Sequence, residues 1–325
     1  ILIDGSSTVY PISEAVAEEY IRAHRGVRVT VGVSGTGSGF AKFARGETDI
    51  SDASRPINPT EAQAAAQNGI QFIELPVAYD GVSIVVNPQN DWVDCLTVDE
   101  LKRLWEPSSQ ITNWNQIRPT FPNQPIHLYG PSPSDGTYDY FTEAIVGHQG
   151  ASRSEFTASE DDNVLVQGIA GDPNSLGYFG YAYYENNRDK LKVLGIDDGD
   201  PSNGEGCIKP SPETIQSNQY QPLARPLFLY VNASKADSTV MQSFINFYLE
   251  NAGVLAPDVG YVALSDQAYQ LAKERYQKRT TGTLFESGAT TGVTLEDLYR
   301  RESGSMGDTD STAAQADSAT QAVQP

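Results

Sequence analysis

Two runs dominate the hydrophobic pattern of this chain, 81–86 (Gly-Val-Ser-Ile-Val-Val) and 226–231 (Pro-Leu-Phe-Leu-Tyr-Val). Both are short and apolar, with little of the alternation that a half-solvated strand shows, and both read as buried strands. Around and between them strand signals alternate with helix signals, which specifies an α/β chain with a parallel, helix-covered sheet. The two runs bracket the middle of the chain. A polypeptide that leaves one lobe, builds a second and returns has this pattern, and its two crossings make a two-strand hinge. At 325 residues the chain also suits two domains better than one core.

The finer pattern predicts strands at 1–4, 27–33, 49–53, 71–75 and 81–86. Helices are predicted at 11–24, 40–45 and 60–67, the first from Ile12, Val16 and Tyr20 at helical spacing and the last with Thr60 as its N-cap. In the middle region helices are expected at 97–105, 138–146, 162–170 and 184–191, with strands at 126–129 and 177–183. After the strand at 226–231 come amphipathic helices at 234–250 and 265–278. From Ser303 the composition turns to Ser, Thr, Ala, Asp, Gln and Gly, too poor in apolar material to offset ordering entropy, so 303–325 is expected to be a disordered tail.

Charge narrows the function. The formal net charge is −20, with 22 basic against 42 acidic residues, so the surface repels nucleic-acid backbones. A small anion could be captured here only by local donors, not by the overall field. The three histidines, His24, His127 and His148, are scattered and have no metal-ligand spacing. No cofactor is implied. Nothing approaches the roughly 18 to 20 apolar residues of a membrane span. The first residues lack the basic and apolar regions of a signal peptide, so the numbering is expected to start after a removed signal or in a chain that had none. Cys95 and Cys207 are compatible with two free thiols or one disulfide, and the acidic surface favours the disulfide and an oxidising compartment.

Three Gly/Ser/Thr clusters each lie between a predicted strand and a predicted helix: 5–8, 34–39 and 133–137. Any one is explained by helix capping. Three at equivalent places, each with unpaired N–H donors, a dipole end and hydroxyls, can together surround a small anion. Arg55, between a short strand and Pro56, is placed to grip two oxyanion oxygens, or else to pair with Asp49 or Asp52. Asp52 or Asp135 would accept the proton of hydrogen phosphate, which fully ionised sulfate lacks. The run 34–39 matches neither the dinucleotide-binding, the P-loop nor the nucleophile-elbow pattern. No Ser–His pair is suggested, and Asp161-Asp162 reads as a helix cap rather than an acid and base.

These segments, together with 75–81 (Leu-Pro-Val-Ala-Tyr-Asp-Gly), 135–141, 159–163 and 176–181, resemble the phosphate-binding proteins of bacterial high-affinity phosphate ABC transporters, in the family's order as far as Asn232. The resemblance implies a two-lobed periplasmic binding protein fold of type II with a two-strand hinge. Lobe I would comprise 1–84 and 228–302, and lobe II 85–227. It implies phosphate contacts at Ser7, Thr8, Val9, Thr36, Gly37, Ser38, Arg55, Ser134, Asp135, Gly136 and Thr137, without catalysis. It further implies a monomer, a membrane permease as partner, a periplasmic or extracytoplasmic location with membrane anchoring before processing, and the Cys95–Cys207 disulfide. Where some relatives have a carboxylate this chain has Ser54. Where some have an Arg before the third cluster it has Pro131, which leaves Arg55 as the expected main cation. The rival readings are a receptor for sulfate, molybdate or another tetrahedral oxyanion, and, from another class, a phosphate-ester hydrolase.

Overall fold

The computed structural model describes residues 1–285 and 294–304. The strands are β1 Leu2–Gly5, β2 Thr30–Val33, β3 Ile50–Ala53, β4 Phe72–Val86, β5 Cys95–Thr97, β6 His127–Pro131, β7 Thr157–Ser159, β8 Ser175–Gly180, β9 Lys192–Val193, β10 Gly195–Asp197 and β11 Ala224–Asn232. The α-helices are α1 Tyr10–Ala23, α2 Thr36–Ala44, α3 Pro59–Gln67, α4 Val98–Trp105, α5 Gly136–Phe141, α6 Asp162–Ala170, α7 Tyr181–Glu185, α8 Pro212–Gln216, α9 Thr239–Asp258 and α10 Asp266–Lys278.

The main sheet runs β2-β1-β3-β11-β4-β8-β6-β7, with β9 also on β4. Its two arms are parallel, β2-β1-β3 and β8-β6-β7, as strand–helix alternation requires. The centre is antiparallel, because β11 returns against both β3 and β4. The first part of β4 pairs with β11 and the last part, Val82 to Val86, with β8, so this one strand belongs to both arms. All 15 of its residues are buried.

The predicted strands 71–75 and 81–86 are therefore one strand, which runs straight through Pro76. A proline has no N–H for a ladder and is tolerated where the ladder slips. Here β11 shifts register between Leu227 and Phe228, which face Ala78 and Pro76, so Val77 is the extra residue of a bulge. The cap of α3 is Asn58 rather than Thr60: its side chain accepts the Glu61 N–H at 2.9 Å, and the Glu61 carboxylate accepts the Asn58 N–H at 3.0 Å. The helix expected at 138–146 is α5 followed by a π-helical turn, Thr142–Val146. Helix α2 begins at Thr36, four residues before its apolar face does. The helix expected at 234–250 starts later, behind the Ser238 cap, and extends to Asp258.

One face of the sheet packs against α1 and α9 through Ile12, Val16, Tyr20, Phe244 and Tyr248, all at most 1% exposed. Phe40, Phe43, Phe72, Phe228 and Tyr230 form a second cluster. There the buried Glu74 carboxylate accepts from the Tyr230 hydroxyl at 2.6 Å, the Thr283 hydroxyl at 2.7 Å and the Leu284 N–H at 2.8 Å, tying that late segment to β4. Most of the expected tail lies outside the described residues; Ser303 and Gly304 end a helical stretch, 295–304. Among the described residues no helix is long and apolar enough to cross a membrane.

Cys95 and Cys207 are bonded, with Cα atoms 5.9 Å apart, and fasten the small β5–β10 sheet. Thiol labelling of the denatured, unreduced protein should find no free thiol. Replacing both cysteines by Ser should lower unfolding free energy by roughly 2–5 kcal/mol in denaturant titrations, whereas labelling of two thiols in protein from its own compartment would refute the bond.

Candidate functional site

Backbone-to-backbone packing assembles the first wall of the cleft. At Gly5, φ is +149° and a Cβ would lie 2.2 Å from the Asp52 carbonyl oxygen, so no side chain fits. The Ser6 N–H donates to that same oxygen at 2.9 Å. The Ser6 hydroxyl accepts from the N–H groups of Thr8 at 3.1 Å and Val9 at 3.4 Å. Helix α2 then presses against this turn, since a Cβ on Gly39 would stand 2.6 Å from the Gly5 Cα. Its N-cap is Gly35, at φ +85°, which has no side chain to cap the helix. The first N–H groups of α2 are thus left for a ligand or solvent. Thr36 joins this wall to the next loop by accepting the Ser54 N–H at 3.2 Å.

The second wall is α5. Asp135 caps it by accepting the Thr137 N–H at 2.7 Å. A Cβ on Gly136 would lie 3.0 Å from the Thr8 Oγ1 and 3.6 Å from the Ser7 Oγ. The first and third clusters, remote in sequence, therefore meet across the space, and the second flanks it.

The cleft between these walls has a volume of about 660 Å³. Of the residues expected from the sequence, Ser7, Thr8, Thr36, Gly37, Ser38, Arg55 and Gly136 line it. Val9, Ser134, Asp135 and Thr137 do not. Val9 is fully buried behind the turn, and the Ser134 hydroxyl is turned to Glu160 at 2.9 Å. Asp52 is also absent from the lining, fully buried beneath the first cluster. Arg55 pairs with neither Asp49 nor Asp52: its two terminal nitrogens each bond a Glu61 oxygen at 2.8 Å.

Sequence reasoning missed the second cation. Arg225, on β11, lines the cleft with Ser6, Ser34, Ser54, Tyr140, Asp139 and Glu143. Its Nε and Nη2 each lie 3.3 Å from one oxygen of Asp80, its register partner on β4. Nη2 also reaches the Thr8 hydroxyl at 3.4 Å. The signal was present: Arg225-Pro226 opens one dominant apolar run and Asp80-Gly81 the other, and a charge at the mouth of a buried strand needs a partner. Among the described residues no three His, Cys, Asp or Glu side chains gather as a metal site.

Two carboxyls behind the cleft are perturbed. Burial raises Asp80, and the Arg225 charge pulls it back. Asp52 is pushed up to about 7, chiefly by burial and further by the negative charge of Asp4. Among the described residues neither of its oxygens has a hydrogen-bond partner. Ser13 faces it and pulls the other way, but its hydroxyl lies 3.0 Å from that of Tyr248.

A family model described as a PBP superfamily domain matches residues 1–252. Protein SphX of Synechocystis sp. is 50% identical over 305 residues, 93% of this chain and 89% of that protein. The phosphate-binding protein PstS of Staphylococcus saprophyticus is 42% identical over 267 residues, 82% of this chain and 81% of its own. A crystal structure of a possible phosphate binding protein from Planctomyces limnophilus superposes with a TM-score of 0.81 at 41% identity, covering 86% of this chain and 98% of that one. The architecture is that of a two-lobed periplasmic binding protein. Within that superfamily the chain belongs to the phosphate-binding proteins of phosphate ABC transporters.

Asp52 yields a prediction. A carboxyl whose folded value lies above its unfolded one, here about 7 against 3.8, favours the fold while protonated. Its contribution is intact below about 3.8 and lost as pH rises through about 7. Asp52→Asn should remove that loss and be more stable than the parent at pH 8, by up to roughly 4 kcal/mol, with little difference at pH 4. Parallel pH–stability curves from denaturant titrations would refute the assignment.

Proposed function

We propose that this chain captures inorganic phosphate outside the cytoplasm, closes on it, and presents the closed form to the membrane permease of an ABC transporter. The observation that carries this reading is the approach of Gly136 to Ser7 and Thr8, which turns three separated clusters into the wall of one cleft with Arg225 and Arg55 at its side. The ligand contacts come from hydroxyls of Ser7, Thr8, Thr36 and Ser38, the uncapped N–H groups of α2, and the two guanidinium groups. The protein acts as a receptor and performs no chemistry on its cargo. It works as a monomer. The lobes are 1–84 with 228–302, and 85–227, and β4 and β11 are the strands that bend between them.

Phosphate is favoured over sulfate by the carboxylates that line the cleft. Asp139 and Glu143 are acceptors, which a protonated anion satisfies and a fully ionised one is repelled by. Arg225 is the stronger cationic contact. Its side chain is 17% exposed against 40% for Arg55, and the fork of Arg55 is already spent on Glu61.

Calorimetric titration with phosphate, sulfate and arsenate tests the reading directly. One phosphate should bind per chain, and Arg225→Ala should lose roughly 2–5 kcal/mol of affinity, as truncation of a buried charge partner does, with a smaller loss for Arg55→Ala. The double change Asp139→Asn, Glu143→Gln should narrow the preference for phosphate over sulfate. No heat and no rise in melting temperature at millimolar phosphate, in protein freed of co-purified anion, would sink the proposal.

A further inference from the structure

Arg225 stands where β11 crosses between the lobes: it is counted with 85–227, but its guanidinium is held to the other lobe, by Asp80 and Thr8. Its Nη2 is 3.4 Å from the Thr8 hydroxyl on one side. On the other, its Cζ lies 3.7 Å from the centroid of the Tyr140 ring. Tyr140 belongs to α5, the helix that begins at Gly136. The ring is 6% exposed, and its hydroxyl donates to the Pro222 carbonyl at 2.8 Å, just before β11 begins. Asp80 holds the guanidinium from behind through a single oxygen, and among the described residues Nη1 has no hydrogen bond. A planar cation lying on an aromatic face keeps its edge donors free for an anion while its face is occupied.

We propose that Tyr140 is a positioning residue, which clasps α5 to Arg225 and so makes the closed arrangement of the cleft depend on the guanidinium that meets the anion. This rests on the reading of the cleft as a phosphate site and adds how closure is coupled to occupancy. Closing the walls brings the ring onto Arg225, and an anion on Arg225 holds the cation at the ring. Anything that binds the closed form better shifts the population toward it. Without the ring, Arg225 still meets the anion, but α5 is no longer drawn in with it.

The test compares Tyr140→Phe with Tyr140→Leu, because Phe keeps the ring and loses only the Pro222 bond, whereas Leu removes the ring. Arg225→Lys, which keeps charge without a planar face, is the third variant. Phosphate affinity is read by calorimetry, closure by the change in radius of gyration on adding phosphate, and folding by thermal melting without ligand. We expect the parent and Tyr140→Phe to bind and compact alike. Tyr140→Leu and Arg225→Lys should bind about three- to tenfold more weakly or worse and compact less, at melting temperatures close to that of Tyr140→Phe. If Tyr140→Leu matches Tyr140→Phe in affinity and compaction, or if Phe loses as much as Leu, the clasp is overturned while the phosphate site stands. If Tyr140→Leu is too unstable to measure, Tyr140→Met, which also lacks the ring, takes its place: full compaction and affinity in that variant overturn the clasp. Failure of the parent itself to bind phosphate would instead overturn the site on which the clasp rests.

Discussion

The pairing of β4 with β11 is the constraint on which the rest of this molecule hangs. β4 is long enough to serve both arms of the sheet, and β11 runs back along its first part, so both arms are hung from one antiparallel ladder. The ladder sets Asp80 directly opposite Arg225 and thereby delivers a cation to the cleft from the centre of the sheet. It also tolerates Pro76, because the slip between Leu227 and Phe228 falls beside it. A straight ladder would have required an N–H that proline does not have.

An acidic protein that gathers anions needs its positive potential to be short-ranged, and the cleft is built to that specification. Each guanidinium is backed by a carboxylate, Arg55 by Glu61 and Arg225 by Asp80. The pairs are close to neutral at a distance, and Arg225, held through Nε and Nη2, keeps its Nη1 edge at contact range. Burying such a pair carries a desolvation cost, and here the cost is offset by fixing where the donors point. The uncapped start of α2 and the serine and threonine hydroxyls supply directional donors without adding net charge. Asp139 and Glu143 on the α5 side share the space, and in the proposed phosphate site they are the acceptors on which selectivity would depend.

Much of the architecture was legible because local patterns decide it. Helical spacing at Ile12, Val16 and Tyr20 and the two apolar runs announce their elements. Where local rules misled, a long-range contact had overruled them. The run at 71–86 is one strand because β11 spans it. The helix at 138–146 gives way to a π-helical turn where the Thr142 hydroxyl bonds back to Tyr138 and Asp139 carbonyls, a choice that no periodicity reveals. The candidate site was half legible for a similar reason. Gly/Ser/Thr turns identify donors in one dimension, and nine residues of the three turns line the cleft, eight of them from the first two.

By itself, then, the sequence determined the α/β class, the return of the chain through two buried strands, the donor-rich turns, and a net charge that repels nucleic-acid backbones. These follow from composition and from periods of two and 3.6, which are properties of short stretches. Tertiary structure alone decided which donors face one another, that Asp52 lies buried behind the wall rather than in it, and that Glu61 occupies Arg55. It also chose Arg225 as the cation bridging the walls. Each of these is a meeting of groups far apart in the chain, set by strand register and by glycine-width gaps such as that between Gly136 and Thr8, and such gaps exist only once the sheet has formed.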